Sequence, residues 1–240
     1  MADSQLLSWE DAVRWLLEQP DQAELARAAY FDQPTSVSAR RYHESAEFAE
    51  LRRYLPKRPG RALDLGAGNG ILAFALAKDG WQVTAVEPDP SDLIGAGAIR
   101  QLSRDTGVAI DVVEAFGEAI PLEAANYDLV IARQVLHHAH EIGQFCREMA
   151  RLTRPGGLVI TLRDHVISGP SQLPAFFEKH PLHHLYGGEN AFEIGQYRTA
   201  LTDAGLRIKH ELGSLASVIN YAPMTQDQIR KGIADQVGGR

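Results

Sequence analysis

The chain has 240 residues, 45% of them apolar and 23% charged, and carries a net charge of −7. That balance belongs to a folding globular chain and excludes a disordered one. Basic residues come no denser than the neighbouring pairs Arg52-Arg53 and Lys57-Arg58, so no nucleic-acid partner is expected and a small or neutral substrate is favoured.

The opening residues Met1–Glu10 lack a basic segment followed by an apolar core, and no run approaches the ~20 apolar residues that span a bilayer. The cytoplasm is therefore the default address, with no membrane partner. Trp9, Val13, Leu16 and Leu17 share one helical face. After a break near Pro34, Phe48, Leu51, Tyr54 and Leu55 form a second stripe. Residues 1–59 thus read as an N-terminal helical cap, closed by Pro56-Lys57-Arg58-Pro59-Gly60.

From residue 60 to 240 strands and helices alternate. Arg61–Leu65 reads as a strand, Ile71–Lys78 as a helix closed by Gly80, and Gln82–Glu87 as a strand ended by Pro88. Ser91–Asp105 is a helix, Val108–Val113 and Tyr127–Ala132 are strands, and Glu141–Thr153 is a helix carrying the single cysteine, Cys146, as a small buried residue. The turn Arg154-Pro155-Gly156-Gly157 introduces a fifth strand, Leu158–Arg163. Such alternation predicts an α/β fold with right-handed crossovers and a mostly parallel sheet. Residues 166–192, rich in Pro, Gly and His, are too long for a plain connection and read as an insertion covering the substrate. Ile194–Ala204 then predicts a helix, and Arg207–Leu212 and Ser217–Tyr221 two closing strands.

The first strand runs into Gly66-Ala67-Gly68-Asn69-Gly70. Glycines there let the backbone turn tightly and approach a ligand, at the sheet edge where α/β proteins bind theirs. The spacing is G-x-G-x-G, with Ile71 where a dinucleotide fingerprint needs its third glycine. Glu87, ending the second strand, suits the two hydroxyls of a ribose.

L-D-L-G-A-G-N-G, the acid of V-E-P-D, Y-D-L-V, L-H-H and R-P-G-G-L-V-I follow in this order. Together they resemble the class I S-adenosylmethionine-dependent methyltransferases, in particular the small-molecule type 11 group, over Gly60 to Arg163. The resemblance implies a Rossmann-like fold of seven strands, six parallel and the last antiparallel, with helices on both faces, and S-adenosylmethionine as cofactor. It places Asp64, Gly66, Ala67 and Gly68 at the methionine half of that cofactor, Glu87 at the ribose, and Pro88 and Asp89 beside the adenine. Where the family often has an acid, five positions before Pro121, this chain has Phe116. Adenine is then expected against Phe116 and the backbone at Gly117, with Glu118 as a substitute acid. Arg133 faces the cofactor carboxylate or an acidic substrate, unless it forms a surface salt bridge. Tyr42 is the expected lid aromatic, with ordinary helix packing as its alternative.

Methyl transfer needs alignment, and a hydroxyl acceptor benefits from a base. By resemblance to sugar and natural-product O-methyltransferases, His138 and Asp164 would work together, although His138 also suits a structural role at a helix start. In the insertion, His180, His183 and His184 with Glu189 and His165 raise a metal site, but the spacing fits no closed zinc pattern. The segment is therefore read without metal, with His184, Tyr186 and Glu189 lining the acceptor pocket. The function expected is methylation of a small molecule, at a hydroxyl oxygen. The alternatives are an N- or C-methyltransferase, or a non-catalytic cofactor-binding protein. An NAD-dependent oxidoreductase explains the sheet and Glu87 but neither Gly70 and Ile71 nor the later motifs.

Overall fold

Four short helices precede the sheet in the computed structural model, which describes residues 6–231. Helix α1 (Trp9–Glu18) begins where the Ser8 hydroxyl accepts a hydrogen bond from the Asp11 amide, and it buries Ala12, Val13 and Leu16. Helices α2 (Ala23–Ala28) and α3 (Thr35–His43) follow. Helix α4 (Ala46–Leu51) is capped in the same way by Ser45.

The main sheet consists of β1 (Arg61–Leu65), β2 (Gln82–Val86), β3 (Asp111–Val113), β4 (Tyr127–Arg133) and β5 (Thr153–Leu162). All neighbours are parallel, in the order β3-β2-β1-β4-β5. The crossovers are α5 (Ile71–Lys78), α6 (Ala96–Thr106) and α7 (Ile142–Leu152). Strand residues alternate between two cores. Ala62, Ala85, Leu129 and Ile131 pack against α3, α4, α5 and α6. On the other face Leu63, Leu65, Val130 and Ala132 pack against Phe145, Cys146 and Met149 of α7. Strand order reverses between β1 and β4, and the crevice at their carboxyl ends is where such sheets take their ligands.

The main sheet thus has five strands among the described residues, which corrects the expected seven. Residues 207–212 alternate in sequence, but Ile208 and Leu212 remain 38% and 37% exposed and make no ladder among the described residues. A period-two pattern forms a strand only when one face finds a core to bury against. Ser217 instead caps a short helix, which buries Ile219 where a strand was expected.

The insertion has its own structure. It contains β6 (Val166–Ile167), α8 (Leu173–Lys179) and α9 (His183–Tyr186), and β6 pairs in parallel with β7 (Phe192–Glu193). Helix α10 (Ile194–Asp203) leaves through a capping box made by Glu193 and Gln196, and α11 (Val218–Tyr221) follows, ahead of helical residues 226–231. Leu182 and Tyr186 of the insertion share a small core with Leu16 and Trp9 of α1, so the two segments form one covering layer. No helix among the described residues is long and apolar enough to cross a membrane.

Candidate functional site

The glycine turn is folded back onto β2 because the Gly66 and Ala67 amides both donate to the Val86 carbonyl, at 2.8 and 3.1 Å. Gly66 has φ +61°, and a Cβ there would stand 1.9 Å from a Val135 methyl. Gly68 has φ +55°, yet its added Cβ would meet only the Ile94 carbonyl, at 3.8 Å. Gly66 is thus required by packing, whereas Gly68 faces open space. The Gly68 amide donates to Glu87 Oε2 at 2.7 Å, and the Asp89 amide donates to Glu87 Oε1 at 3.0 Å. Asn69 donates to the Tyr30 carbonyl at 2.7 Å, which ties the turn to the N-terminal segment.

Asp64 is 1% exposed, and its Oδ2 has no hydrogen-bond partner. Burial pushes this carboxyl up to about 8, with Arg133 offsetting only part of the effect. Burial also raises Glu87. A buried acceptor without a donor fits a ligand that brings its own cationic donor. The residues present therefore suit the ammonium of a methionine moiety, with Glu87 just past the end of the neighbouring strand β2.

At the end expected to take adenine, Pro88 is exposed, Asp89 is partly buried, and Phe116 is 61% exposed. Gly117 is fixed by packing, since a Cβ would come within 2.0 Å of the Phe145 ring. Glu118 Oε1 accepts from the His140 and Glu141 amides, at 2.9 and 3.4 Å. This carboxylate caps the approach to α7, which corrects its expected use as a free acid. Phe116, Glu118 and His140 line a shallow cleft of about 320 Å³.

Arg133 does not lie on the surface. Its Nε donates to Glu47 Oε1 at 2.7 Å and its Nη2 to Glu47 Oε2 at 3.3 Å, while the Tyr42 ring lies 5.1 Å from the guanidinium. The expected choice between a cofactor contact and a surface ion pair is thus corrected to a buried pair. Tyr42 is fully buried against Tyr30 and Phe48, and its hydroxyl donates to Glu47 at 3.3 Å. It is a core residue, which corrects its expected role as a lid.

The ends of β4 and β5 bring together a second group. Leu136-His137-His138 forms one 3-10 turn. Asp164 Oδ1 accepts from the His137 amide at 3.2 Å and lies 3.0 Å from His137 Nδ1. Asp164 therefore orients His137 and not His138, a correction to the expected pairing. His138 Nδ1 lies 2.9 Å from the Gly188 carbonyl. A carbonyl only accepts, so that nitrogen carries the proton and Nε2 keeps its lone pair. Burial and the neighbouring His137 lower the His138 pKa, so it is neutral at pH 7.

Glu189 stands at the centre, its side chain 5% exposed. Its Oε2 lies 3.5 Å from His137 Nε2, 3.5 Å from His165 Nε2 and 4.0 Å from His138 Nε2. Its Oε1 accepts from the Tyr186 hydroxyl and lies 3.6 Å from His180 Nε2. Glu189 and Tyr186 thus both belong to this group. His184 does not: it is exposed beside Trp15, with ring centroids 6.3 Å apart, which corrects its assignment to the pocket. Sequence reasoning grouped His165 and His180 with Glu189 only as a metal candidate that it set aside, and it passed over His137 altogether. The available signal was the density of histidine just past two strands that both end at the ligand edge.

Residues 63–161 match the family described as "Methyltransferase domain". Over those residues the chain is similar to a class I methyltransferase domain. Over 99 residues it is 40% identical to a ubiquinone biosynthesis O-methyltransferase of Methylocella silvestris, covering 41% of this chain and 38% of that one. A protein of the same name from Parvibaculum lavamentivorans is 25% identical over 201 residues, covering 80% of this chain and 75% of the relative. The chain spans less than half the length of the first curated relatives it matches, 38% and 37% for the leading two. An S-adenosylmethionine dependent methyltransferase from Mesorhizobium loti superposes with a TM-score of 0.61 at 21% identity, over 82% of this chain and 94% of that one, and so shares the fold.

This domain offers a direct test at its glycine turn. Gly68→Ala places a methyl in open space, at a backbone cost of about 1–2 kcal/mol. The variant is expected to fold but to bind S-adenosylhomocysteine at least ~10-fold more weakly, because a 1.4 kcal/mol loss of contact already costs that factor. Unchanged affinity in calorimetry would move the ligand away from this turn.

Proposed function

We propose that the domain transfers a methyl group from S-adenosylmethionine to a hydroxyl oxygen of a small molecule. When bound, the cofactor supplies an electrophilic methyl on a cationic sulfur. Asp64 takes the cofactor ammonium, Gly68 leaves space for the methionine portion, and the Glu87 carboxylate accepts from the ribose hydroxyls. His138 Nε2 accepts the hydroxyl proton of the acceptor. The imidazolium so formed is stabilised by the Glu189 carboxylate, 4.0 Å away. The layer formed by α1 and the insertion keeps water from the reacting atoms.

The observation that carries this reading is the tautomer of His138. Its Nδ1 is committed to the Gly188 carbonyl, and the ring is 34% exposed at the sheet edge, beside the end of β4. A neutral, partly open imidazole is the group a hydroxyl acceptor needs, whereas an amine acceptor with a free lone pair needs no base. The two relatives named as O-methyltransferases support oxygen as the acceptor atom, and the net charge of −7 supports a small, non-polyanionic acceptor.

Methyl incorporation from labelled cofactor, across phenols, sugars and amines, tests the acceptor class. With the acceptor so found, His138→Ala is expected to lower kcat by about 10²–10⁴-fold. S-adenosylhomocysteine affinity should stay within about twofold, well under the 1.4 kcal/mol of a tenfold change. A kcat equal to that of the unmodified enzyme removes His138 from the reaction. Transfer to amines alone replaces the oxygen reading.

A further inference from the structure

From the group around Glu189 we infer a binding site for one divalent transition-metal ion, held by His137 Nε2, His165 Nε2 and Glu189 Oε2. The function of that ion, holding the acceptor oxygen, rests on the reading above; the binding itself does not.

Four observations carry the site. First, Glu189 Oε2 is buried without any hydrogen-bond partner. A buried carboxylate oxygen is normally well satisfied, and each exception calls for a missing ion or donor. Second, the histidine nitrogens near it sit at 3.5 and 3.5 Å, too long for hydrogen bonds. Tetrahedral ligands with arms of about 2.1 Å lie roughly 3.4 Å from one another. One ligand atom from each of the three residues lies within 4.8 Å of the other two. Third, hydrogen bonds already orient two of the nearby histidines. Asp164 lies 3.0 Å from His137 Nδ1 and so turns Nε2 toward Glu189, the carboxylate–histidine arrangement typical of metal ligands. His180 is the contrast: its Nδ1 accepts from the Leu182 amide at 3.4 Å, so its Nε2 carries a proton and stays outside the ligand set. Fourth, the ligands come from three separate segments, the turn after β4, the residue following Asp164, and the insertion.

Two imidazoles and one carboxylate with a position left over suit zinc, cobalt, nickel or iron(II), not magnesium or calcium, which prefer oxygen donors. The most exposed ring of the group, His138 at 34%, marks the side where a further oxygen enters. An acceptor hydroxyl bound there would be acidified by the ion. Its proton goes to His138 Nε2, the new O–CH₃ bond forms as the S–CH₃ bond breaks, and that bond's electron pair leaves on sulfur. The ion is neither oxidised nor reduced.

The test is titration of EDTA-treated full-length protein with Co²⁺ alone, read by its visible d–d absorption and by metal analysis after gel filtration. One Co²⁺ per chain and a raised melting temperature are expected. Glu189→Gln and His165→Ala should lose at least ~100-fold in Co²⁺ affinity, and Asp164→Asn, which only orients a ligand, about 10–100-fold. His180→Ala should change affinity by less than ~10-fold, below the loss expected even for an orienting residue. His184→Ala should leave it unchanged. S-adenosylhomocysteine binding reports that each variant is folded. Absence of a Co²⁺ band in the unmodified protein overturns the inference, as does a loss in His184→Ala equal to that in Glu189→Gln. Either result leaves the methylation assay free to stand or fall separately.

Discussion

Asp64→Asn is expected to weaken S-adenosylhomocysteine binding by about 10–100-fold, the range for losing a buried hydrogen bond to a charged group. It should also flatten the fall in stability that the unmodified protein shows as pH rises. Asp64 lies at the end of β1 with one carboxylate oxygen unpartnered, and burial pushes its pKa from 3.8 to about 8. A folded-state pKa raised above the unfolded one contributes stability that is complete below about pH 4 and is lost as pH climbs through about 8. At 1.36 kcal/mol for each tenfold in proton affinity, the loss amounts to at most about 6 kcal/mol. At 2–4 °C per kcal/mol for a chain of this size, the melting temperature falls by on the order of 10 °C. Asparagine cannot ionise, so the variant lacks that slope, and comparing the two slopes cancels whatever the substitution does to packing. The same acid gives the ligand a signature. A cationic ammonium at Asp64 favours the ionised carboxylate, so binding near pH 7 should release a proton, measurable as a dependence of the calorimetric heat on the ionisation enthalpy of the buffer. If the unmodified protein and Asp64→Asn have parallel pH–melting curves, Asp64 is not the buried acid described here.

What the sequence revealed of this machinery follows from how local each feature is. The glycine turn was legible because its requirements are written within five residues: positive φ at Gly66 and Gly68, and an acid at the end of the next strand. The alternating strands β1 to β5 were legible because each carries its own apolar run. The closing strands were not. Residues 207–212 have the right period, but whether a face becomes buried depends on an element outside the segment. The His137–Asp164 pair was missed for a geometric reason. Adjacent residues in a 3-10 turn point about 120° apart, so L-H-H shows that one ring faces Asp164 without showing which. Arg133 was misplaced because its partner, Glu47, lies 86 positions upstream. Glu189 was placed in the pocket, but its surroundings come from three segments that only the fold brings together.

Glu47→Ala is expected to destabilise the protein by about 3–5 kcal/mol, the cost of leaving buried charge without its counter-ion, and to lower the melting temperature by on the order of 10 °C. The side chain is 1% exposed and serves two cations at once, Arg133 at 2.7 Å and Arg163 at 3.1 Å, with those partners 12% and 16% exposed. Arg163 is also fixed by the Ile219 and Ala222 carbonyls, at 2.9 and 2.6 Å, so it cannot swing out to solvent without breaking those bonds. Glu47→Gln keeps the shape but not the charge and should fall between. Replacing Arg163 by Met in the Glu47→Gln background should recover part of the loss, because one of the uncompensated cations is then gone, and a double-mutant cycle reads the coupling. The result bears on the N-terminal helices as well. Glu47 lies on α4, while its partners sit at the end of β4 and just past the end of β5. A removable lid would let Glu47→Ala melt like the unmodified protein and impair only ligand closure. A cooperative loss of stability, seen equally by calorimetry and by circular dichroism, would make residues 46–51 part of the core that holds the ends of β4 and β5, and with them His137, Asp164 and His165, in register.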